Sequence, residues 1–264
     1  MAFCIESYLN SLSEDILEIN IIDKELRYLP DLTRFKKLEI LNCRANRLKS
    51  LPTLPKSLKK LICTDNRLLY LPKLPEKLDT LNCAQNVLNY LPKLPEKLNT
   101  LNCAQNVLNY LPELPEKLQA LSCSYNFLSV LPMLPKGLKN LYCHNNDLIF
   151  IPNFPDSLRH ISCHSNELIT IPIIPNFIYS MFIYYRNNPI YNIVNNDNFD
   201  IVRRNIIIIN NFRHLYYCIK FRAQFRKYLW ERVREPKIVK KYDPNYLIEH
   251  LGDDADLDEV LNEW

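Results

Sequence analysis

LPKLPEKLDTLNCAQNVLNY (71–90) runs straight into LPKLPEKLNTLNCAQNVLNY (91–110), and the two stretches differ only at Asp79 against Asn99. The same 20-residue period extends in both directions, from residue 41 to residue 180, without slippage. Leu41, Leu61, Leu81, Leu101, Leu121, Leu141 and Ile161 share one column, and a cysteine stands two places after each, from Cys43 to Cys163. An asparagine column follows, from Asn46 to Asn166, and a leucine column, from Leu48 to Leu168. The unit is L-x-C-x-x-N-x-L-x-x-L-P-x-L-P-x-x-L-x-x.

Each column has a physical reading. In L-x-C, alternation turns Leu and Cys inward and the intervening residues outward, as a short strand requires. Successive copies stack as parallel strands ~4.8 Å apart, because no single copy can bury its apolar face alone. The asparagine amides satisfy turn backbone groups that would otherwise be buried without a partner. Two prolines per unit remove N–H donors and fix φ, so the convex side is expected to be extended or polyproline-like and not helical. Ahead of the regular copies, Ile19-x-Ile21 through Leu38 forms a 22-residue end copy with Lys24 in place of the asparagine. Behind them, Met181-x-Ile183 and RNNPI suggest a closing partial copy near 181–190.

These residues resemble the leucine-rich-repeat family, and the LPxLPxxL half resembles its 20-residue subtype from bacterial effector proteins. The resemblance covers about residues 19–190, with cysteine where the family usually has a second leucine. It implies an α/β solenoid that is mainly β: a horseshoe with short parallel strands on the concave face, extended convex segments and a small helical C-terminal module. The expected organisation is an N-terminal cap at 1–18, the solenoid at 19–190 and the helical module at 191–264.

Composition narrows the function. Two glycines among 264 residues, Gly137 and Gly252, cannot build a phosphate-cradling loop. The seven column cysteines are expected to fill the core, because a thiol nucleophile or metal ligand must be reachable. His144 and His164 sit on neighbouring strands, but two imidazoles with no carboxylate beside them make a poor metal site. The acids of the LPEKL segments (Glu76, Glu96, Glu116) each stand beside a lysine, which reads as a solvated face. No catalytic constellation, cofactor or metal is expected.

The concave face is the candidate site. Its expected residues are Asn42 and Arg44, then Lys60, Ile62 and Thr64, then Asn82 and Asn102. Ser122, Ser124 and Tyr125 follow, then Tyr142 and His144, and finally His160, Ser162 and His164. Such a surface, basic at one end, small and polar in the middle, aromatic at the other, suits a protein partner. Nucleic acid would want basic charge along its whole track. A monomer is expected.

Beyond residue 190 the period is lost. Cys218, Phe221, Phe225, Leu229 and Val233 recur at three-to-four spacing and predict an amphipathic helix over 213–234. A second helix is predicted from Asp243-Pro244 to Gly252, and an acidic third over 255–264. From Arg203 to Lys241 there are twelve Lys/Arg and two acids, while 243–264 holds eight acids and no Lys or Arg. The module is read as a cap for the solenoid end. The alternatives are docking of an acidic partner or nucleic acid through 203–241, or seating of the basic helix in a calmodulin-like groove. FRKYLWERVREPKIVKKYDPNYLIEHL (225–251) with DLDEVLNEW (256–264) resembles a tail found in proteins of Mimivirus-like giant DNA viruses. Repeats of this subtype can precede a ubiquitin-ligase domain that uses a cysteine, but about 75 residues whose one cysteine, Cys218, lies on an apolar helix face do not suit one. The first 20 residues lack a basic n-region, and no apolar run approaches the ~20 residues of a membrane helix. With nine cysteines, the expected location is a reducing, intracellular one: host cytoplasm or virion if the protein is viral.

Overall fold

A computed structural model describes residues 3–174, 183–196 and 198–220, the last seven of these for their backbone only. The chain divides into two compact units, Met1–Ile208 and Ile209–Trp264, and the repeats lie wholly in the first. Among the described residues, nine strands form one parallel sheet in sequence order. They are β1 (Glu18–Asn20), β2 (Ile40–Asn42), β3 (Lys60–Ile62), β4 (Thr80–Asn82), β5 (Thr100–Asn102), β6 (Ala120–Ser122), β7 (Asn140–Tyr142), β8 (His160–Ser162) and β9 (Ile183–Tyr184). Register follows the sequence columns, with Leu41 opposite Leu61, Leu61 opposite Leu81, and so on to Ile161.

Strand length is set by the turns on either side. Before β3, the N–H of Leu58 donates to the carbonyl of Pro55 (3.1 Å), closing a tight turn on the convex side. After it, Asp65 takes φ 58°, and the equivalent residue of every regular turn is also left-handed. Of the six residues between them, the central three, Lys60–Ile62, form the strand. The strands are therefore centred on the leucine and stop before the cysteine, one residue upstream of the L-x-C placement expected from sequence. No helix occupies the convex segments of the described turns.

One complete turn shows the core. Leu41, Cys43, Leu48, Leu51, Leu54 and Leu58 are all buried, with Asn46 the buried polar member. The asparagines tie turns together. The Asn86 amide donates to the carbonyls of Cys63, Cys83 and Ala84, and its oxygen accepts the N–H of Leu68 in the preceding turn. The 22-residue first copy is joined the same way, with the N–H groups of Lys24 and Leu26 donating to Asn46 Oδ1. Before it, α1 (Ile5–Asn10) buries Ile5 and Leu9.

Two expectations at the C-terminal end are corrected. The closing copy is phased two residues later than Met181-x-Ile183 suggested, because Ile183 lies opposite Ile161 and Tyr184 opposite Ser162. Tyr185 is buried in the cysteine column, and Asn188 takes the asparagine role by bonding the Cys163 and Tyr185 carbonyls and the Leu168 N–H. The helix expected from residue 213 begins far earlier. After α2 (Tyr191–Val194), α3 runs over Phe199–Lys220. Its start is capped by Asn198, whose Oδ1 accepts the Asp200 N–H (2.9 Å), and Val202 and Ile206 bury one face. The helices expected within 221–264 lie outside the described residues.

Candidate functional site

Three columns of side chains stand on the sheet face in each turn: the residue before the strand leucine, the one after it, and the one after the cysteine. The sequence reading includes only Lys60 and His160 from the first column. The structure adds Ile40, Thr80, Thr100, Ala120 and Asn140, each opening its strand. Extending the period-two alternation one residue upstream of Leu would have found them.

Most expected residues lie at this face. Asn42, Ile62, Asn82, Asn102 and Ser122 are half-buried in the second column, while Arg44 and Lys60 are exposed at the N-terminal end. Thr64, Ser124 and Ser162 are not exposed as expected; they are buried. The two serines are internal supports, since Ser124 Oγ and Ser162 Oγ lie 3.2 and 3.1 Å from His144 Nδ1. Both hydroxyls are small enough to fit under the imidazole and polar enough to bond it.

At the C-terminal half the face becomes aromatic. His144 and His164 stack with ring centroids 4.5 Å apart and planes 17° from parallel. Tyr125 meets His144 edge-on at 5.4 Å, from the left-handed corner of its turn. Burial, and then the neighbouring His164, push the His144 pKa below its usual value; burial alone does the same for His164. In both rings the shift favours the neutral form. His160 opens β8, on the same strand as Ser162.

Tyr142 and Tyr184 share the second column, two turns apart, and both are exposed. Beside Tyr184 opens a cleft of about 680 Å³ lined by His164, Tyr184, Arg186, Tyr191, Asn195 and Phe199, among others. Sequence reasoning missed Tyr184 and Arg186 because the closing copy is out of phase with the regular ones. The cysteines contribute nothing to this face. All seven are buried, with the Cys43, Cys83, Cys123 and Cys163 thiols pushed up to about 12 by burial.

The architecture is shared with known proteins. YopM from Yersinia enterocolitica superposes with a TM-score of 0.64 at 33% identity, over 68% of this chain and 40% of that one. The chain is a leucine-rich-repeat solenoid. YopM of Yersinia pestis, a leucine-rich effector protein, matches at TM-score 0.62 and 35% identity, over 65% of this chain and 49% of that one. A Shigella effector leucine-rich-repeat domain matches at 0.54 and 27%, over 69% and 86%. The solenoid thus spans less than half the length of either Yersinia protein. No family model matches the sequence, and no curated protein does. Among the described residues, no helix is long and apolar enough to cross a membrane.

Proposed function

We propose that this solenoid is a non-enzymatic scaffold that binds a protein partner on its concave sheet face, chiefly at the C-terminal half. The observation that carries this is the aromatic–imidazole surface of Tyr125, Tyr142, His144 and His164, continued by Tyr184 into the adjoining cleft. Exposed tyrosines that keep a hydrogen-bonding hydroxyl on a rigid sheet are the side chains that dominate protein recognition. Neutral histidines add donors and acceptors without fixing a charge. Among the described residues the basic side chains on the face, Arg44 and Lys60 at one end and Arg186 at the other, leave the middle uncharged, which favours a protein over a nucleic-acid backbone. Likeness to effector repeat proteins supports interaction as the role. A reducing intracellular location, which would be host cytoplasm or virion if the protein is viral, fits the free thiols of the described residues.

The test is affinity capture by the full chain, with the partner identified by mass spectrometry. The comparison is with the same chain carrying Tyr142→Ala, His144→Ala and His164→Ala. A partner held by the parent and lost at least ~10-fold by the triple variant supports the concave site. A partner retained by the triple variant but lost when Arg222, Arg226, Arg232 and Arg234 are changed to Glu would move the function to the basic segment.

A further inference from the structure

The flank where the chain leaves the sheet carries a pattern that the concave-face reading does not use. The residue following each core asparagine is exposed in every regular turn. Along the solenoid this column reads Arg47 and Arg67, then Val87, Val107 and Phe127, then Asp147 and Glu167. Val107 is its midpoint. Two turns either side stand Arg67 and Asp147; three turns either side stand Arg47 and Glu167. Reversed end for end, the column places each cation on an acid and the apolar centre on itself.

A second column, three residues further along the chain, has the same symmetry. Tyr70 and Phe150 lie two turns either side of Tyr110, and Tyr90 and Val130 lie one turn either side. The apolar members of both columns are 38–56% exposed. Leu69 and Ile149, also two turns from the midpoint, are exposed as well. At roughly 80–100 Å² for each half-exposed side chain, these ten residues reach the ~800 Å² that one partner gives to a standard interface. They also exceed the ~300–600 Å² of the largest apolar patch on an ordinary monomer.

The column is rigid, because each member is pinned to the preceding turn. The N–H groups of Arg67, Val107 and Asp147 donate to the carbonyls of Leu48, Leu88 and Leu128 at 2.9–3.0 Å. Like charges stand one turn apart at both ends, on the order of 5 Å at strand spacing. Arg47 pairs with Glu25 (2.6 Å), but among the described residues Arg67, Asp147 and Glu167 make no salt bridge. An opposite row would relieve both clusters.

We propose that two copies of this chain associate side by side and antiparallel through this flank, on a two-fold axis beside Val107 and Tyr110. Arg67 of each copy then faces Asp147 of the other, and Arg47 faces Glu167, around a tyrosine and valine centre. A parallel pairing would set cation on cation and acid on acid. The axis reverses the repeat direction and lies in the contact plane, so it runs from concave to convex. Both concave faces therefore open the same way and stay uncovered. The monomer expected from sequence is the opposing outcome of the test.

Sedimentation velocity on the full chain tests the pairing. The parent should reach twice its 31.3 kDa with rising concentration. Arg67→Glu alone and Asp147→Arg alone should each weaken the dimer by at least ~10-fold while keeping the parent's circular dichroism and melting profile. Mixed in equal amounts, the two variants should regain the dimer. The glutamate introduced in one copy then faces the arginine introduced in the other, while the native Arg67 and Asp147 still meet at the second contact. A parent that stays at monomer mass at all concentrations would overturn the proposal. So would single reversals that remain dimeric, or a mixture no more dimeric than its components.

Discussion

Asn106 does in one side chain what a capping residue does at a helix end. Its amide donates to the carbonyls of Cys83 (3.1 Å), Cys103 (3.1 Å) and Ala104 (3.3 Å), and its oxygen accepts the Leu88 N–H (3.0 Å). Asn102, on the sheet face, accepts the Ala104 N–H at its Oδ1 (3.1 Å) and stays half-exposed. Asn106→Ala strands several buried backbone groups and should cost about 2–4 kcal/mol, against less than ~1 kcal/mol for Asn102→Ala. Urea denaturation read by circular dichroism separates them; equal losses would contradict the asparagine ladder. Left-handed corners are a second residue-scale cost. Ala45, Gln85 and Tyr125 sit at φ 54–55°, a region that disfavours side chains by ~1 kcal/mol or more. The stacked histidines set a third effect. The pKa of each is lowered in the fold, so the unfolded chain binds protons more readily, and stability falls as pH drops below the usual 6.5. Melting temperature should therefore be lower at about pH 5 than at about pH 7.5. The gap should narrow in His144→Gln; an unchanged gap would remove these rings as its source.

The cysteine column shows how an element's interior governs reactivity. Each thiol is sealed under the strand leucines, and several donate weakly to the next turn, as Cys43 Sγ does to the Ile62 carbonyl (3.5 Å). A maleimide added to native protein should label exposed Cys4 at once and leave Cys43 through Cys163 untouched until denaturant is added. Rapid modification of any column cysteine in the native state would show that the turns open. This inertness was legible in the sequence, because alternation alone puts Cys43 on the side of Leu41. Other element-scale features were not. The strands lie one residue out of phase with the sequence reading because their ends are decided by turn geometry, which the repeat pattern does not display. The start of α3 was hidden by composition, since asparagine and isoleucine are indifferent helix formers. Only Asn198 before Phe199, and the four-residue spacing of Val202 and Ile206, marked it. In the last copy, two inserted residues move the leucine column to Ile183 while Met181 keeps the old spacing, and the pattern alone does not show which residue faces inward.

For the whole molecule, a period of 20 residues was enough to name the architecture, since it fixes which side chains must share a column. The site was less legible. The columns make Tyr142, His144 and His164 neighbours, yet the stacking of the rings, the burial of the serines beneath them and the cleft beside Tyr184 depend on inter-turn geometry. The flank charges stood in plain view but gained meaning only once their column was known to be exposed and evenly spaced. Mechanical behaviour follows from the same ladder. Among the described residues, the asparagine and backbone bonds of each turn extend only to the turn beside it, so they do not clamp the two ends of the solenoid together. Pulled from its termini, such a chain should not rupture in one event. It should peel, releasing about 20 residues at a time, each step adding roughly 70 Å of contour length. Optical-trap recordings would show a staircase of small equal increments; a single large rip would mean that the turns hold as one body.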